Sequence, residues 1–176
     1  MFACRFTACL SALVLSGCII IPIPISRDPI GDPGPAPATS ACPRVSTANA
    51  AEQQITQRIN SFRASNGLPP VRQNSKLSAA AQAHACDNAA RGIYSHDGSD
   101  GSTLAHRLKR GGYAYATGVE NTGLGFADAP DRMTTFWENS PKHRANLLNP
   151  KVTEAGLGLA QGSKGPAWVL VMARPR

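Results

Sequence analysis

Charge is scarce in this chain: Asp, Glu, Lys and Arg together make up 16% of 176 residues, with 11 acidic against 18 Lys and Arg and a formal net charge of +7. The basic residues do not form the dense runs with which nucleic-acid binders neutralise phosphates, so no nucleic-acid partner is expected. No apolar run reaches the ~20 residues that a membrane-spanning helix needs. The metalloprotease pattern His-Glu-x-x-His, the calcium loop Asp-x-Asp-x-Asp-Gly and the Gly-x-Ser-x-Gly elbow of serine hydrolases are all missing. What is present suits one globular domain, with 42% apolar residues to build a core. Half of the 14 prolines fall between Pro22 and Pro43, a density that helices and central strands do not accept. Folding therefore starts later and involves roughly 130 residues.

Arg5 is the only charge before Arg27, and the apolar run Ala8 to Leu15 follows it, as in the n- and h-regions of a signal peptide. The run closes on Leu15-Ser16-Gly17-Cys18, which resembles the lipobox of bacterial lipoproteins. That resemblance implies cleavage after residue 17 and acylation of Cys18, hence a chain anchored on a bacterial membrane. The alternative is a spanning helix continuing through Ile19 to Ile21, but Gly17, Pro22 and Pro24 interrupt it. Two or more acyl chains suffice for stable anchoring. Ile19 stands where an Asp would favour retention at the inner membrane, so the resemblance to sorted lipoproteins implies the outer membrane, facing periplasm or surface. The domain expectation is a signal peptide over 1–17, a lipidated Pro-rich tether over 18–46 and a folded domain over 47–176.

Once the signal is removed and Cys18 acylated, Cys42 and Cys86 are the remaining thiols in an oxidising compartment. They are available to pair as a disulfide; two free thiols is the alternative.

In the folded part, Asn49 followed by Glu52 reads as a helix cap, and Ala51, Ile55, Ile59 and Phe62 recur at helical spacing up to Asn66-Gly67. A second helix is predicted from Ser75 to Arg91, where many alanines call for close packing. Shorter helices follow over Thr103–Arg110 and Pro130–Asn139. Glu154 to Ala160 alternates with glycine, and Gly162-Ser163-Lys164-Gly165 is turn material before the apolar run Trp168 to Met172. These two stretches read as a hairpin, with a further strand over Tyr113 to Gly123. The expected class is α+β, helices on a small antiparallel sheet. Trp137 and Trp168 have apolar neighbours and read as core.

An ordered set of short motifs carries more information than any one of them. Leu77-Ser78-Ala79-Ala80-Ala81 is followed by Tyr94-Ser95-His96-Asp97-Gly98, Arg107-Leu108, Gly112-Tyr113 and Val119-Glu120-Asn121. Then come Trp137-Glu138-Asn139-Ser140-Pro141-Lys142-His143-Arg144-Ala145-Asn146-Leu147-Leu148 and Gly156-Leu157-Gly158. In order and spacing the set resembles the CAP superfamily, in its bacterial branch of SCP-like extracellular domains, over about residues 50–174. The resemblance implies a CAP-type α-β-α sandwich enclosing a cleft that His96, Glu120 and His143 face. The pattern is incomplete: many eukaryotic members carry a second glutamate three residues after the tryptophan, where this chain has Ser140, and Glu138 is out of phase.

Two imidazoles and a carboxylate match the donors that zinc accepts, with one position left open. His96, Glu120 and His143 are therefore candidate metal ligands, with Ser140 a further cleft residue; the alternative is that they hydrogen-bond to one another and order the cleft wall. A metal-dependent envelope hydrolase would use Glu120 as base, which then leaves two histidines for the ion. A serine nucleophile at Ser140 lacks an elbow and an oxyanion hole, and capping a helix that starts at Pro141 explains that serine better. His84 and His106 read as surface or boundary residues, Asp97 and Asp100 as turn residues, and Arg107, Lys109, Arg110, Lys142 and Arg144 as a solvated basic face. The leading expectation is a non-enzymatic binding module for an apolar, amphipathic or sterol-like lipid, or for an envelope polysaccharide. The alternative is the hydrolase; a purely structural role is the third reading.

Overall fold

The computed structural model describes residue 42, residues 44–127 and residues 129–176. The expected signal segment, Cys18 and nearly all of the tether lie outside the described residues. Along the chain come helix α1 (Ala48–Ala64), strand β1 (Arg72–Gln73), α2 (Ser75–Arg91), α3 (Leu104–Arg110), β2 (Tyr115–Leu124), α4 (Pro130–Asn139), α5 (Pro141–Leu147), β3 (Glu154–Gly162) and β4 (Gly165–Pro175). The strands form one four-stranded sheet in the order β1-β3-β4-β2. β2, β4 and β3 run antiparallel, and β1 adds a two-residue parallel edge to β3, which the sequence did not announce.

Period-two alternation in β4 divides the core into two layers. Trp168, Leu170 and Met172 face α1, α4 and α5, packing with Ile55, Ile59, Met133, Trp137 and Leu147. Ala167, Val169, Val171 and Ala173 face α2 and α3, with Leu77, Ala81, Ala85 and Leu108. The result is the α-β-α sandwich. β3 shows why its glycines alternate: a Cβ on Gly156 would lie 2.1 Å from Ser78 N, and one on Gly158 would lie 2.2 Å from Ala81 O. The alanine-rich face of α2 rests directly on that glycine stripe.

Local chemistry sets the helix ends. Asn74 caps α2 by accepting from the N–H groups of Lys76 and Leu77, and Gly92 closes it in the left-handed conformation at φ 61°. α1 starts one residue earlier than its expected cap, with Thr47 at the cap position and Asn49 inside the helix. Glu52 does not cap: it is buried and turns toward β3. At the other end of α1, Arg63 is fully buried and its guanidinium donates to the carbonyls of Pro69, Leu147 and Asn149 at 2.8–3.0 Å. This pins the C-terminal end of α5 against α1. Cys42 and Cys86 are joined as a disulfide, with their Cα atoms 5.9 Å apart. Among the described residues, no helix is long and apolar enough to cross a membrane.

Candidate functional site

The motif residues meet at the β2 edge of the sheet, where both helical layers contribute. Glu120 lies on β2 opposite Val171 of β4, and its side chain turns toward α2 and α3 with 3% exposure. Arg107 of α3 donates from Nη2 to Glu120 Oε2 at 2.8 Å and from Nη1 to Ser102 O at 2.8 Å. His96 Nδ1 lies 2.9 Å from Glu120 Oε1. One buried carboxylate is thus shared between a guanidinium and an imidazole.

The loop that carries His96 is fastened to α2. Ser95 O accepts from His84 Nε2 at 2.8 Å and from Asn88 Nδ2 at 2.9 Å, while Arg107 Nη2 reaches His96 O at 3.1 Å. His84 is 1% exposed, and its Nε2 also stands 3.9 Å from Glu120 Oε1. It is therefore a buried member of this network and not the surface or boundary residue expected. Its position was legible in one respect: it continues the stripe of Leu77, Ala80 and Ala81 at helical spacing. Arg107 likewise leaves the expected basic face for the interior, where the buried Glu120 carboxylate neutralises it. The rest of that face disperses: Arg110 pairs with Asp100 at 3.0 Å, and Arg144 lies over the Phe62 ring at 4.6 Å. The Ser102 side chain, with the Ser102 N–H and Arg110 behind it, holds the Asp100 carboxyl down at about 2 against burial, in keeping with a turn role. His106, half-buried, accepts from Thr103 N–H at the start of α3.

The second layer supplies His143 from α5. Asn146, one turn further on, donates to Glu120 O at 3.1 Å and Asn121 Oδ1 at 2.8 Å, and Asn121 Nδ2 returns to His143 O at 3.2 Å. Asn146 thereby covers a backbone carbonyl of an edge strand, as Trp137 Nε1 does for Thr122 O at 3.1 Å. The His143 ring stacks obliquely on Phe136 at 5.5 Å, and Phe136 meets Phe126 at 5.4 Å. Phe126 and Ala127 take positive φ values of 66° and 46°, a left-handed turn that carries the chain from β2 into α4. Ser140 forms the joint between α4 and α5. Its backbone bonds to Phe136 and Arg144 serve both helices, but its hydroxyl makes no cap bond and reaches none of His96, Glu120 or His143.

Electrostatics separate the imidazoles. The hydrogen bond to Glu120 raises His96 above its ordinary 6.5, against the opposing effect of burial. Burial lowers His143, and the neighbouring His96 lowers it further. His84 is lowered by burial as well, with Glu120 pulling the other way. His96 therefore holds its proton to higher pH than His143 does.

The expected zinc set does not fit this arrangement. Both Glu120 oxygens are occupied, one by His96 and one by Arg107, and among the described residues no group of three His, Cys, Asp or Glu side chains stands ready to hold a metal ion. Two neighbouring imidazoles remain.

The family model described as "CAP: Cysteine-rich secretory protein family" matches residues 56–172. The uncharacterized protein YkwD of Bacillus subtilis (strain 168) is 29% identical over 138 residues, 76% of this chain and 52% of that protein. The chain thus spans about half the length of that relative, and 31% of the uncharacterized membrane protein YlbC of the same organism, at 29% identity. Among solved structures, an extracellular SCP-domain protein of Bacillus anthracis superposes with a TM-score of 0.64 at 29% identity, covering 72% of this chain and 41% of that one. An outer surface protein of Borrelia burgdorferi has the same fold, with a TM-score of 0.69 at 17% identity, covering 77% of this chain and 100% of that one.

Proposed function

Starting from the fact that the chain belongs to the CAP, or cysteine-rich secretory protein, family, we propose that it is an envelope-anchored binding module and not a hydrolase. The observation that carries this reading is the engagement of Glu120. A carboxylate 3% exposed and held at 2.8–2.9 Å by both a guanidinium and an imidazole orders a cleft wall, and it is poorly placed to take a proton from water. The metal-dependent hydrolase reading needs that carboxylate free.

Three features suit an amphipathic ligand. Tyr94, two residues before His96, is 67% exposed, and Phe136, against His143, is 43% exposed. A cavity of about 340 Å³ adjoins Phe136, lined also by Phe126, Asp131, Arg132 and Thr135. An apolar portion, lipid-like or the face of a sugar ring, would rest on the phenylalanines, while the His96 and His143 edges would meet its polar groups. The lipobox-like Leu15-Ser16-Gly17-Cys18 supports anchoring through acylated Cys18, which would hold this cleft at the envelope surface.

The test is native mass spectrometry of the full chain extracted from bacterial membranes without chelator. A lipid or glycan adduct that is lost in the His143→Ala variant is expected. Absence of any adduct, together with turnover of ester or peptide panels that His143→Ala abolishes, would replace the binding module with the hydrolase. Separately, Cys18→Ala should move the protein from the membrane to the soluble fraction, and unchanged sedimentation would remove the anchor.

A further inference from the structure

At the opposite edge of the sheet, β3 continues beyond its short pairing with β1, and its free backbone groups are met by side chains. Leu157 N–H donates to Glu52 Oε1 at 3.0 Å, Leu159 N–H donates to Gln82 Oε1 at 3.1 Å, and Leu159 O accepts from Gln82 Nε2 at 3.1 Å. Ser78 Oγ also donates to Glu52 Oε1, which orients the carboxylate. The acceptors left facing outward surround one guanidinium, that of Arg44. Its Nη2 meets Glu52 Oε2 at 2.6 Å, its Nη1 meets Leu157 O at 2.9 Å and Gln82 Oε1 at 3.2 Å, and its Nε meets Asn49 Oδ1 at 3.0 Å.

A fork of donors thus meets a fixed set of oxygens, a match that a lysine ammonium, with three donors at one point, does not reproduce. Arg44, Asn49 and Glu52 precede the 56–172 family match, whereas Gln82 and Leu157 lie inside it. The Arg44 side chain is 26% exposed and Glu52's is 11% exposed, so the guanidinium closes the acceptors from outside. A cavity of about 460 Å³ adjoins the pair, lined by Arg44, Asn49, Glu52, Gln73, Ser78 and Gln82 among others. That is the size of a small-ligand site.

We propose that the acceptors at the β3 edge form a guanidinium-binding site, filled in cis by Arg44 and open to an arginine side chain of a peptide when the Arg44 segment is lifted. The Cys42–Cys86 disulfide, two residues from Arg44, holds that segment down and so keeps the cis occupant in place by proximity. This site is separate from the His96–Glu120 cleft, and neither reading depends on the other.

The experiment is chemical rescue in the full chain. Arg44→Ala should melt below the wild type and recover saturably with ethylguanidinium chloride, half-maximally at roughly millimolar concentration. Ethylammonium chloride at the same ionic strength should recover less than a tenth of the shift. Wild type, with the site filled, should show no saturable response. An acetyl-Gly-Arg-Gly amide peptide should rescue Arg44→Ala as ethylguanidinium does, and adding Glu52→Gln should weaken the rescue at least tenfold. Equal responses of Arg44→Ala and wild type, or equal rescue by both cations, would overturn the proposal. Should Arg44→Ala fold poorly, Arg44→Gln under the same titration gives the same decision.

Discussion

Replacing Arg107 by Met tests whether Glu120 is a clamped carboxylate. The side chains of Arg107 and Glu120 are 6% and 3% exposed, so the pair is screened little by solvent. Methionine fills much the same volume but leaves the carboxylate with His96 alone, and breaking a buried pair from one side destabilises by about 3–5 kcal/mol. Ser102 O keeps a partner in Gly98 N–H at 2.8 Å, so the carboxylate accounts for most of the loss. For a domain of this size that is a fall in melting temperature of roughly 10 °C or more. Glu120→Gln should lose a similar amount by stranding the cation. The double variant removes both charges and should lose less than the sum, with a coupling of about 2–3 kcal/mol. Urea unfolding followed by fluorescence supplies the four midpoints, with unchanged slopes certifying that stability alone was altered. Histidine NMR adds an independent reading: His96 should titrate lower in Glu120→Gln, which removes its main support, and higher in Arg107→Met, which removes a repelling cation. Additive losses, or a single-variant loss below about 1 kcal/mol, would refute the clamp and reopen Glu120 as a free base.

The remaining expectations are shorter. In the wild type, His96 should titrate above 6.5 and His143 below it; the reverse order by NMR would invalidate the assigned network. Stability linked to neutral His143 and His84 is complete above pH 6.5 and is lost as pH falls through their depressed values, whereas that linked to protonated His96 is present below 6.5 and lost as pH rises through its raised value. Substituting His143 should therefore flatten the acid side of a stability–pH curve and leave the alkaline side intact. The paired variant Cys42→Ser with Cys86→Ser opens a loop of 44 residues and should lose about 4 kcal/mol on the chain-entropy estimate; an unchanged denaturation midpoint would contradict it. Gly158→Ala would place a Cβ 2.2 Å from Ala81 O and should destabilise by about 3 kcal/mol or more. Gly67→Ala meets nothing within 4 Å at φ +72° and should lose only about 1 kcal/mol of backbone strain. Equal melting shifts for these two would deny that α2 rests on the glycine stripe.

The elements were largely readable because each carries a local code. The span of α2 follows from Asn74, the alanine stripe and Gly92, and the β3–β4 hairpin follows from Gly162 to Gly165 between alternating residues. His84 and Glu52 prove to be buried where the sequence suggested a boundary residue and a helix cap, because local spacing does not say what covers a polar group. Residue types misled in the same way: Arg107 reads as surface charge until β2 brings a carboxylate beside it, and Glu52 reads as a helix cap until β3 offers it an N–H.

Short motifs in their order carried the resemblance to the family, which implied His96, Glu120 and His143 as cleft residues, and local spacing marked out most of the helical and strand segments. Tertiary structure alone decided how the charges are matched. It gave Glu120 to Arg107 and His96, buried His84 beneath the His96 loop and seated Arg44 against β3. The physical reason is that a buried charge is tolerated only beside its partner, and those partners lie from 8 to 113 residues apart in sequence.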